Sequence, residues 1–319
     1  MNRKKEGGKQ VSKLKYSYMA GGSARFIRVN NFDEWYDKDF TRDYYYLDLD
    51  KKYRYIAAAG FQGIELFWFD IPTLQAKFGK LENFTEFLNE RGIEKVTGCF
   101  CINLGAADKR KHENIYKSQQ KVIDGLAALG ANNLVIMPEN QYYGTGPLDA
   151  EGLQNAADCM NEVGRRAADK GLDVSIHNEF WCAINLYDHE KFIELTDPKY
   201  VKYCLDTAQL SIMGVDIVKF YDKWHERIKY FHLKDTNKMA APDEERFGPG
   251  AEYDEHGKRW FYELGGGYVD FPSLFRLMKK YGHTGWVTVE ADGTPDTLAT
   301  MLLAKNYLDT VLEPIMNEE

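Results

Sequence analysis

Eight short apolar runs rich in Val, Ile, Phe and Tyr alternate with amphipathic stretches, and this alternation constrains the fold more than any other feature. Eight strand–helix units predict an α/β protein of the (β/α)8 barrel type, with a doubly wound sheet as the alternative. The predicted strands are Leu14–Met19, Gly63–Trp68, Lys95–Cys101, Asn133–Met137, Asp173–His177, Val201–Asp206, Ile228–Lys234 and Trp286–Glu290.

The chain length and composition agree with a single barrel domain. The 319 residues are 44% hydrophobic, which is enough for a large core, and barrels of this type commonly run to about 250 residues or more. We predict a flexible leader over residues 1–13 and one barrel domain over residues 14–319. A long polar loop at about 236–264 is expected on the catalytic face, with a disordered surface excursion as the alternative.

Charge and cysteine content exclude several classes of function. The net charge is −8, which argues against a nucleic-acid partner because phosphate binding needs a basic face. No apolar stretch approaches the roughly 18 residues of a membrane span. The five cysteines are scattered without a CxxC pair, as expected of small buried side chains in a reducing cytoplasm. We therefore expect a cytoplasmic protein.

Metal-ligating side chains end the last four predicted strands. The fifth ends with His177 and Glu179, and the next three end with Asp206, His232 and Glu290. The carboxyl ends of barrel strands converge on one point, and buried carboxylates or imidazoles are costly unless they are paired or bound to a metal. The set predicts one divalent cation, Mn²⁺, Mg²⁺ or Zn²⁺. Taken singly, each residue has an alternative interpretation as a satisfied buried polar group.

Candidate bases lie beside these ligands. Side chains two apart on a strand share a direction, so Glu179 accompanies His177, and Lys234 accompanies His232. An ion pair with a neighbouring carboxylate is the alternative for Lys234. Glu139, after the fourth strand, is a third candidate, with a capping or surface glutamate as the alternative.

The chain resembles the sugar phosphate isomerase/epimerase group of xylose isomerase-like TIM barrels over about residues 50–315. The segments that carry the resemblance are GFQGIELFWFD, LDVSIHNEF, CLDTAQLSIMGVD, IKYFHLKD and GGGYVDFPSLFRLMKKYGHTGWVTVEAD. The resemblance implies a metal held by Asp206, His232 and Glu290, with His177 as the fourth ligand and Glu179 as the fallback. Mn²⁺ is the expected ion.

The resemblance also implies substrate contacts. Glu65 and Trp68 lie in the segment that matches the family's second strand, and Tyr143 is expected to stack on a sugar or an aglycone, with plain loop packing as the alternative. Gln209 stands where the family often has a histidine three residues after the aspartate. We therefore expect one metal rather than several, with Gln209 facing the substrate.

Within that group, the opening KYSYMAGGSARFIRVN and the long loop after HLKD resemble the larger subunit of bacterial C-glycoside deglycosidases. That resemblance implies a small β subunit as partner, and a lyase that cleaves the carbon–carbon bond of a 3-oxo C-glycoside after proton abstraction beside the ketone. The alternative is a metal-dependent keto-sugar or cyclitol epimerase, isomerase or dehydratase. A non-catalytic sugar-binding barrel is the third hypothesis.

Overall fold

Eight parallel strands close into a barrel in a computed structural model that describes residues 14–20, 43–102, 104–139, 146–185, 187–247, 260–294 and 296–318. In chain order these strands are β1 (Leu14–Met19), β2 (Gly63–Phe67), β3 (Lys95–Cys101), β4 (Asn133–Ile136), β5 (Asp173–Ile176), β6 (Val201–Asp206), β7 (Ile228–Leu233) and β10 (Gly285–Val289). The strand β10 pairs with both β7 and β1 and so closes the circle. The predicted barrel is confirmed. The leader and Tyr143 lie outside the described residues.

Helices connect the strands and form an outer layer. Their bounds are α1 (Asp43–Ala58), α2 (Asp70–Phe78), α3 (Leu81–Asn89), α4 (His112–Ala128), α5 (Ala150–Ala168), α6 (His189–Leu195), α7 (Thr207–Ile212), α8 (Ile217–Trp224), α9 (Asp243–Arg246), α10 (Phe271–Lys280), α11 (Thr297–Tyr307) and α12 (Glu313–Asn317). None of the described helices has an apolar stretch of the length needed to cross a membrane.

The strands read as continuous apolar runs because the helices cover one face and the barrel interior covers the other. In β4, Leu134, Val135 and Ile136 are all fully buried, although their side chains alternate between the two faces. The amphipathic helix α4 buries Ile123 and Leu126 against this layer. Each such side chain contributes about 1.5–3 kcal/mol when it leaves water. The apolar pattern therefore predicts each strand to within one residue of its observed bounds.

The long segment after β7 has secondary structure of its own. The short strand β8 (Asp235–Thr236) pairs antiparallel with β9 (Phe261–Tyr262), and α9 lies between them. Both carboxylate oxygens of Asp235 accept backbone hydrogen bonds from residues that follow β9. Oδ2 accepts from Gly265 (2.9 Å) and Gly267 (2.9 Å), and Oδ1 accepts from Val269 (3.1 Å). The described parts of the loop are therefore fastened to the barrel, while residues 248–259 lie outside the described range.

Candidate metal centre

Four predicted ligands meet at the carboxyl end of the barrel. His177, Asp206, His232 and Glu290 each offer one nitrogen or oxygen atom, and these atoms lie within 4.8 Å of one another. The four residues are between 0% and 6% exposed. Because a cation bound at about 2.0–2.2 Å places its ligand atoms at most about 4.4 Å apart, the group needs only a small contraction to surround an ion.

Regular strand geometry delivers these side chains. The His177 amide donates to the Ile136 carbonyl (2.8 Å), which continues the β4–β5 ladder by one residue. Asp206 ends β6 and also caps α7, since its Oδ1 accepts a hydrogen bond from the Gln209 amide (2.8 Å). Its other oxygen, Oδ2, lies 3.3 Å from His177 Nε2. The helix cap therefore fixes the orientation of a ligand carboxylate.

His232 lies between two carboxylates. Its Nε2 donates to Glu65 Oε2 (2.8 Å), and its Nδ1 lies 2.9 Å from Glu290 Oε2. A histidine that donates one ring N–H to a carboxylate keeps the other nitrogen available for a metal. The sequence resemblance implies that Glu65 is a substrate contact, but the structure commits Oε2 of this fully buried residue to orienting His232.

Buried atoms without hydrogen-bond partners show that this site fits a cation. Among the described residues they include His177 Nδ1 and the facing pair His232 Nδ1 and Glu290 Oε2, which lie 2.9 Å apart without an aligned hydrogen bond. An unsatisfied buried polar atom costs about 1–3 kcal/mol, and a divalent ion bound by this group would lower that cost by coordinating nitrogen and oxygen atoms that lack hydrogen bonds. The mixture of imidazole nitrogens and carboxylate oxygens suits Mn²⁺, Mg²⁺ or Zn²⁺. The donor set therefore supports one divalent metal without choosing its identity.

The electrostatics of the cluster favour positive charge. Burial alone would raise the pKa of Glu290, but Lys234 and His232 outweigh it and lower that pKa below the usual value. Burial likewise opposes charge on His232, yet Glu65 and Glu290 raise its pKa. His177 differs, since burial lowers its pKa more than the hydrogen bond to Asp206 raises it. A neutral His177 is ready to ligate a metal.

Lys234 is held by carboxylates, whereas the Glu179 side chain makes no hydrogen bond with the residues that the structure describes. Lys234 Nζ lies 2.7 Å from Asp292 Oδ2 and 3.0 Å from Glu290 Oε1. Burial lowers the pKa of Lys234, but these neighbours outweigh burial and raise it. Burial raises the pKa of Glu179 well above its usual value. Its carboxylate lies 3.7 Å from His177 Nδ1.

Other residues singled out from the sequence lie further from the cluster or are already engaged. Glu139 is buried, and its Oε1 accepts a hydrogen bond from the Ala107 amide. Gln209 Oε1 accepts one from the Phe180 amide (3.0 Å), so the residue braces the turn after Glu179. Trp68 lines a groove of about 590 Å³ that is walled by residues of α2 and α4, outside the barrel. These positions leave Glu179 and Lys234 as the candidates nearest the metal cluster.

Two residues of the site were not predicted from the sequence. The Phe100 ring packs against the rings of His177 (4.8 Å between centroids) and His232 (5.9 Å). The Cys204 sulfur lies within 4.8 Å of one ring nitrogen of each histidine. Strand alternation from Asp206 back to Cys204 is a signal that could have placed this thiol inside the barrel. Nothing in the sequence distinguishes Phe100 from an ordinary core phenylalanine of β3.

A family model described as xylose isomerase-like TIM barrel matches residues 53–306. The matched range contains the four candidate ligands and every strand of the barrel except β1. It covers most of the chain.

Known proteins with similar sequences or structures include two dehydratases and a zinc-bound protein. The inosose dehydratase of Bacillus velezensis (strain FZB42) is 25% identical over 278 residues, 81% of this chain and 87% of that protein. The probable 3-DHS dehydratase AsbF of Bacillus anthracis superposes with a TM-score of 0.71 at 15% identity, covering 93% and 99% of the two chains. The IOLI protein, solved with a bound zinc atom, gives a TM-score of 0.65 at 18% identity, with 83% and 92% coverage.

Proposed function

The chain belongs to the family of xylose isomerase-like TIM barrels, and from this membership and the site geometry we propose that it is a divalent-metal-dependent dehydratase of a cyclic keto-polyol. The reaction would abstract the proton next to the ketone and expel a β-hydroxyl group as water. The similarity to inosose dehydratases supports this choice over carbon–carbon cleavage. The substrate class is therefore inosose-like.

The observation that carries the proposal is the convergence of His177, Asp206, His232 and Glu290 within 4.8 Å beside two proton-transfer candidates. These four residues would hold the metal. When bound, the ion acts as a Lewis acid on the substrate's ketone oxygen and stabilises the charge that develops on enolisation. The remaining steps require side chains that can accept and donate protons beside it.

Glu179 is our choice for the base. Lys234 is surrounded by carboxylates, and one oxygen of Glu139 is bonded to the Ala107 backbone. The carboxylate of Glu179 accepts no hydrogen bond from the described residues, and the residue is 7% exposed, so it can face a substrate. Its position two residues after His177 places it beside the metal cluster. We infer that Glu179 removes the α-proton and keeps it until the product leaves.

Lys234 is our choice for the group that assists the leaving hydroxyl. Its ammonium lies among Asp206, Glu290 and Asp292, at 3.6, 3.0 and 2.7 Å. An ammonium has donors and no acceptor, so Lys234 can give a proton to the departing hydroxyl, which leaves as water. After product release Glu179 loses the α-proton to solvent and Lys234 takes one up, which restores both side chains. Asp292 is the most exposed of the three carboxylates, with 38% of its side chain exposed. Lys234 itself is fully buried, so a substrate hydroxyl would have to replace one of these carboxylates to reach the ammonium.

The experiment uses purified protein stripped with a chelator and reloaded separately with Mn²⁺, Mg²⁺ or Zn²⁺. An inosose is supplied in D₂O, and products are followed by mass spectrometry and NMR. Loss of one water supports the proposal. Deuterium uptake without water loss points to an epimerase, and turnover that survives the chelator contradicts the metal requirement.

The same experiment decides the carbon–carbon lyase prediction. That prediction depends on the opening segment and the long loop, and residues 21–42 and 248–259 lie outside the described range. A 3-oxo C-glucoside is therefore included as a second substrate, with and without a candidate small subunit. Release of the aglycone, with no reaction of the inosose, would overturn our choice.

Glu179→Gln is the variant that tests the base. We expect kcat to fall about 10²–10⁴-fold, the range attributed to general acid–base catalysis, with metal affinity retained. The matched control is Glu226→Gln, because Glu226 is exposed and precedes β7 at the opposite end of the barrel. Unchanged turnover in Glu179→Gln would remove Glu179 from the mechanism.

A further inference from the structure

A thiol lies inside the barrel directly beneath the metal cluster. Cys204 is two residues before Asp206 on β6, and it is 1% exposed. It pairs with Tyr230 on β7, where the register shifts between Tyr203 and Cys204. Such irregularities re-aim side chains next to active sites. Asp206 pairs with His232 in the same ladder, so the thiol lies one layer below the ligand layer.

The two histidines belong to two different groups of metal-ligating atoms. One group joins His177 and His232 to the carboxylates of Asp206 and Glu290, and the other joins the same histidines to Cys204. All ligand atoms in each group lie within 4.8 Å of one another. Neither group contains the thiol together with a carboxylate. One ion therefore cannot contact all five ligands as they stand. The site offers two overlapping positions.

The two positions differ in chemical preference. Carboxylate oxygens suit hard cations such as Mg²⁺ and Mn²⁺, whereas a thiolate suits Zn²⁺ and other thiophilic ions. His177 Nδ1 is buried and has no hydrogen-bond partner among the described residues, so this imidazole has ligating capacity left. A thiophilic ion that entered from the mouth could reach Cys204 only by passing the carboxylates.

We propose that His177 and His232 serve two alternative cation positions, an upper one completed by Asp206 and Glu290 and a lower one completed by Cys204. The lower position takes thiophilic ions such as Cd²⁺ or Zn²⁺. As the sulfur–metal bond forms, the thiol proton leaves to solvent. This inference rests on the metal centre of the proposed function. An ion in the lower position removes both histidines from the upper one, and it should inhibit the Mn²⁺-loaded enzyme.

The test titrates the chelator-stripped full-length protein with Cd²⁺ and follows the sulfur-to-cadmium charge-transfer absorption. The variants are Cys204→Ser and, as matched control, Cys159→Ser, which removes another fully buried thiol from α5. We expect the band in wild type and control, and its loss in Cys204→Ser together with a weakening of Cd²⁺ binding of about tenfold or more. Mn²⁺ affinity should be similar in all three proteins.

The outcomes separate this inference from the proposed function. Cd²⁺ binding by calorimetry without any charge-transfer band would overturn the lower position and leave the upper one standing. Absence of binding by any divalent ion would overturn both. Because Cys204→Ser places a hydroxyl in the barrel and could fail to fold, wild-type protein loaded with Zn²⁺ is also measured by X-ray absorption. A sulfur neighbour at about 2.3 Å supports the inference, and a shell of only nitrogen and oxygen at about 2.0–2.2 Å refutes it.

Discussion

Glu65→Gln isolates the contribution of the hydrogen bond that orients His232. The wild-type carboxylate accepts from His232 Nε2 at 2.8 Å, and both side chains are fully buried. Glutamine keeps the length and shape of glutamate and keeps an acceptor oxygen, but it removes the negative charge. The substitution therefore changes the strength of one hydrogen bond more than the packing around it.

The expected effect on metal affinity follows from that hydrogen bond. A hydrogen bond to a charged group contributes about 1.5–3 kcal/mol, and a neutral one about 0.5–1.5 kcal/mol. The difference, about 1–1.5 kcal/mol, corresponds to roughly a tenfold weaker Kd for the metal. Outer partners of metal-ligating histidines typically contribute about 10–100-fold in affinity, so the value lies at the low end of that range.

The assay is isothermal titration calorimetry of Mn²⁺ into chelator-stripped protein at neutral pH. Glu94→Gln serves as the control. Glu94 is half-exposed, forms an ion pair with Lys15, and immediately precedes β3, so it lies at the end of the barrel opposite the candidate metal centre. Circular dichroism checks that all proteins fold. If Glu65→Gln binds Mn²⁺ as tightly as wild type, then Glu65 does not act through His232 and the carboxylate–histidine argument is refuted.

Two further predictions concern stability. Gly164→Ala should destabilise the fold by about 1–3 kcal/mol in urea unfolding, because the added Cβ would lie 2.7 Å from the Tyr200 carbonyl oxygen. Gly152→Ala in the same helix is the control and should be near neutral, because its nearest neighbour is the Asp149 side-chain oxygen at 3.3 Å. Burial, with a smaller effect of Lys229, lowers the pKa of His283 to about 4. Between about pH 6.5 and 4 the unfolded state therefore binds a proton that the folded state does not. The free energy of unfolding of wild type should fall by about 2 kcal/mol from pH 7 to 5. His283→Gln should lack that loss, and equal pH dependence in the two proteins would contradict the assignment.

The barrel was predictable from the sequence because each strand is buried on both faces. The run Leu134, Val135 and Ile136 contains no polar residue, which is typical of a strand covered on both faces, and all three side chains are buried. Glycines mark the helix ends for a similar physical reason, since Gly130 and Gly171 adopt the positive φ values of 65° and 76° that other residues avoid. Boundaries differ by at most one residue, and the differences fall at the ends of β2, β4, β5, β7 and β10.

The loop after β7 was less predictable. Its length and polarity indicate a loop, but its folding depends on Asp235, whose carboxylate gathers the amides of Gly265, Gly267 and Val269 from about thirty residues away. The local sequence around a carboxylate does not predict which distant backbone amides will donate hydrogen bonds to it. For the same reason the sequence does not predict that Gln209 Oε1 accepts a hydrogen bond from the Phe180 amide (3.0 Å). Contacts distant in sequence appear only when the topology is known.

The convergence of the four candidate ligands was predictable because chemistry and strand order coincide. Their surroundings depend on how the layers inside the barrel stack. Barrel interiors are usually filled with bulky aliphatic side chains. Here Thr97 bonds to both Ser17 (3.2 Å) and Tyr230 (2.8 Å), and Ser17 bonds to Thr288 (2.7 Å). This hydroxyl network runs through the positions two residues before the ligands on β7 and β10.

Such a layer restrains the ligands above it. Tyr230 and His232 are two residues apart on β7, and their rings contact edge to face with centroids 5.8 Å apart. Phe100 closes the other side of the same histidine with an apolar ring. One wall of the site is therefore fixed by hydrogen bonds and another by packing, which holds the imidazole in the orientation that Glu65 selects. Because the apolar wall excludes water, each charge–charge contact in the cluster is stronger than it would be in solvent, and a divalent ion would gain from every carboxylate it meets.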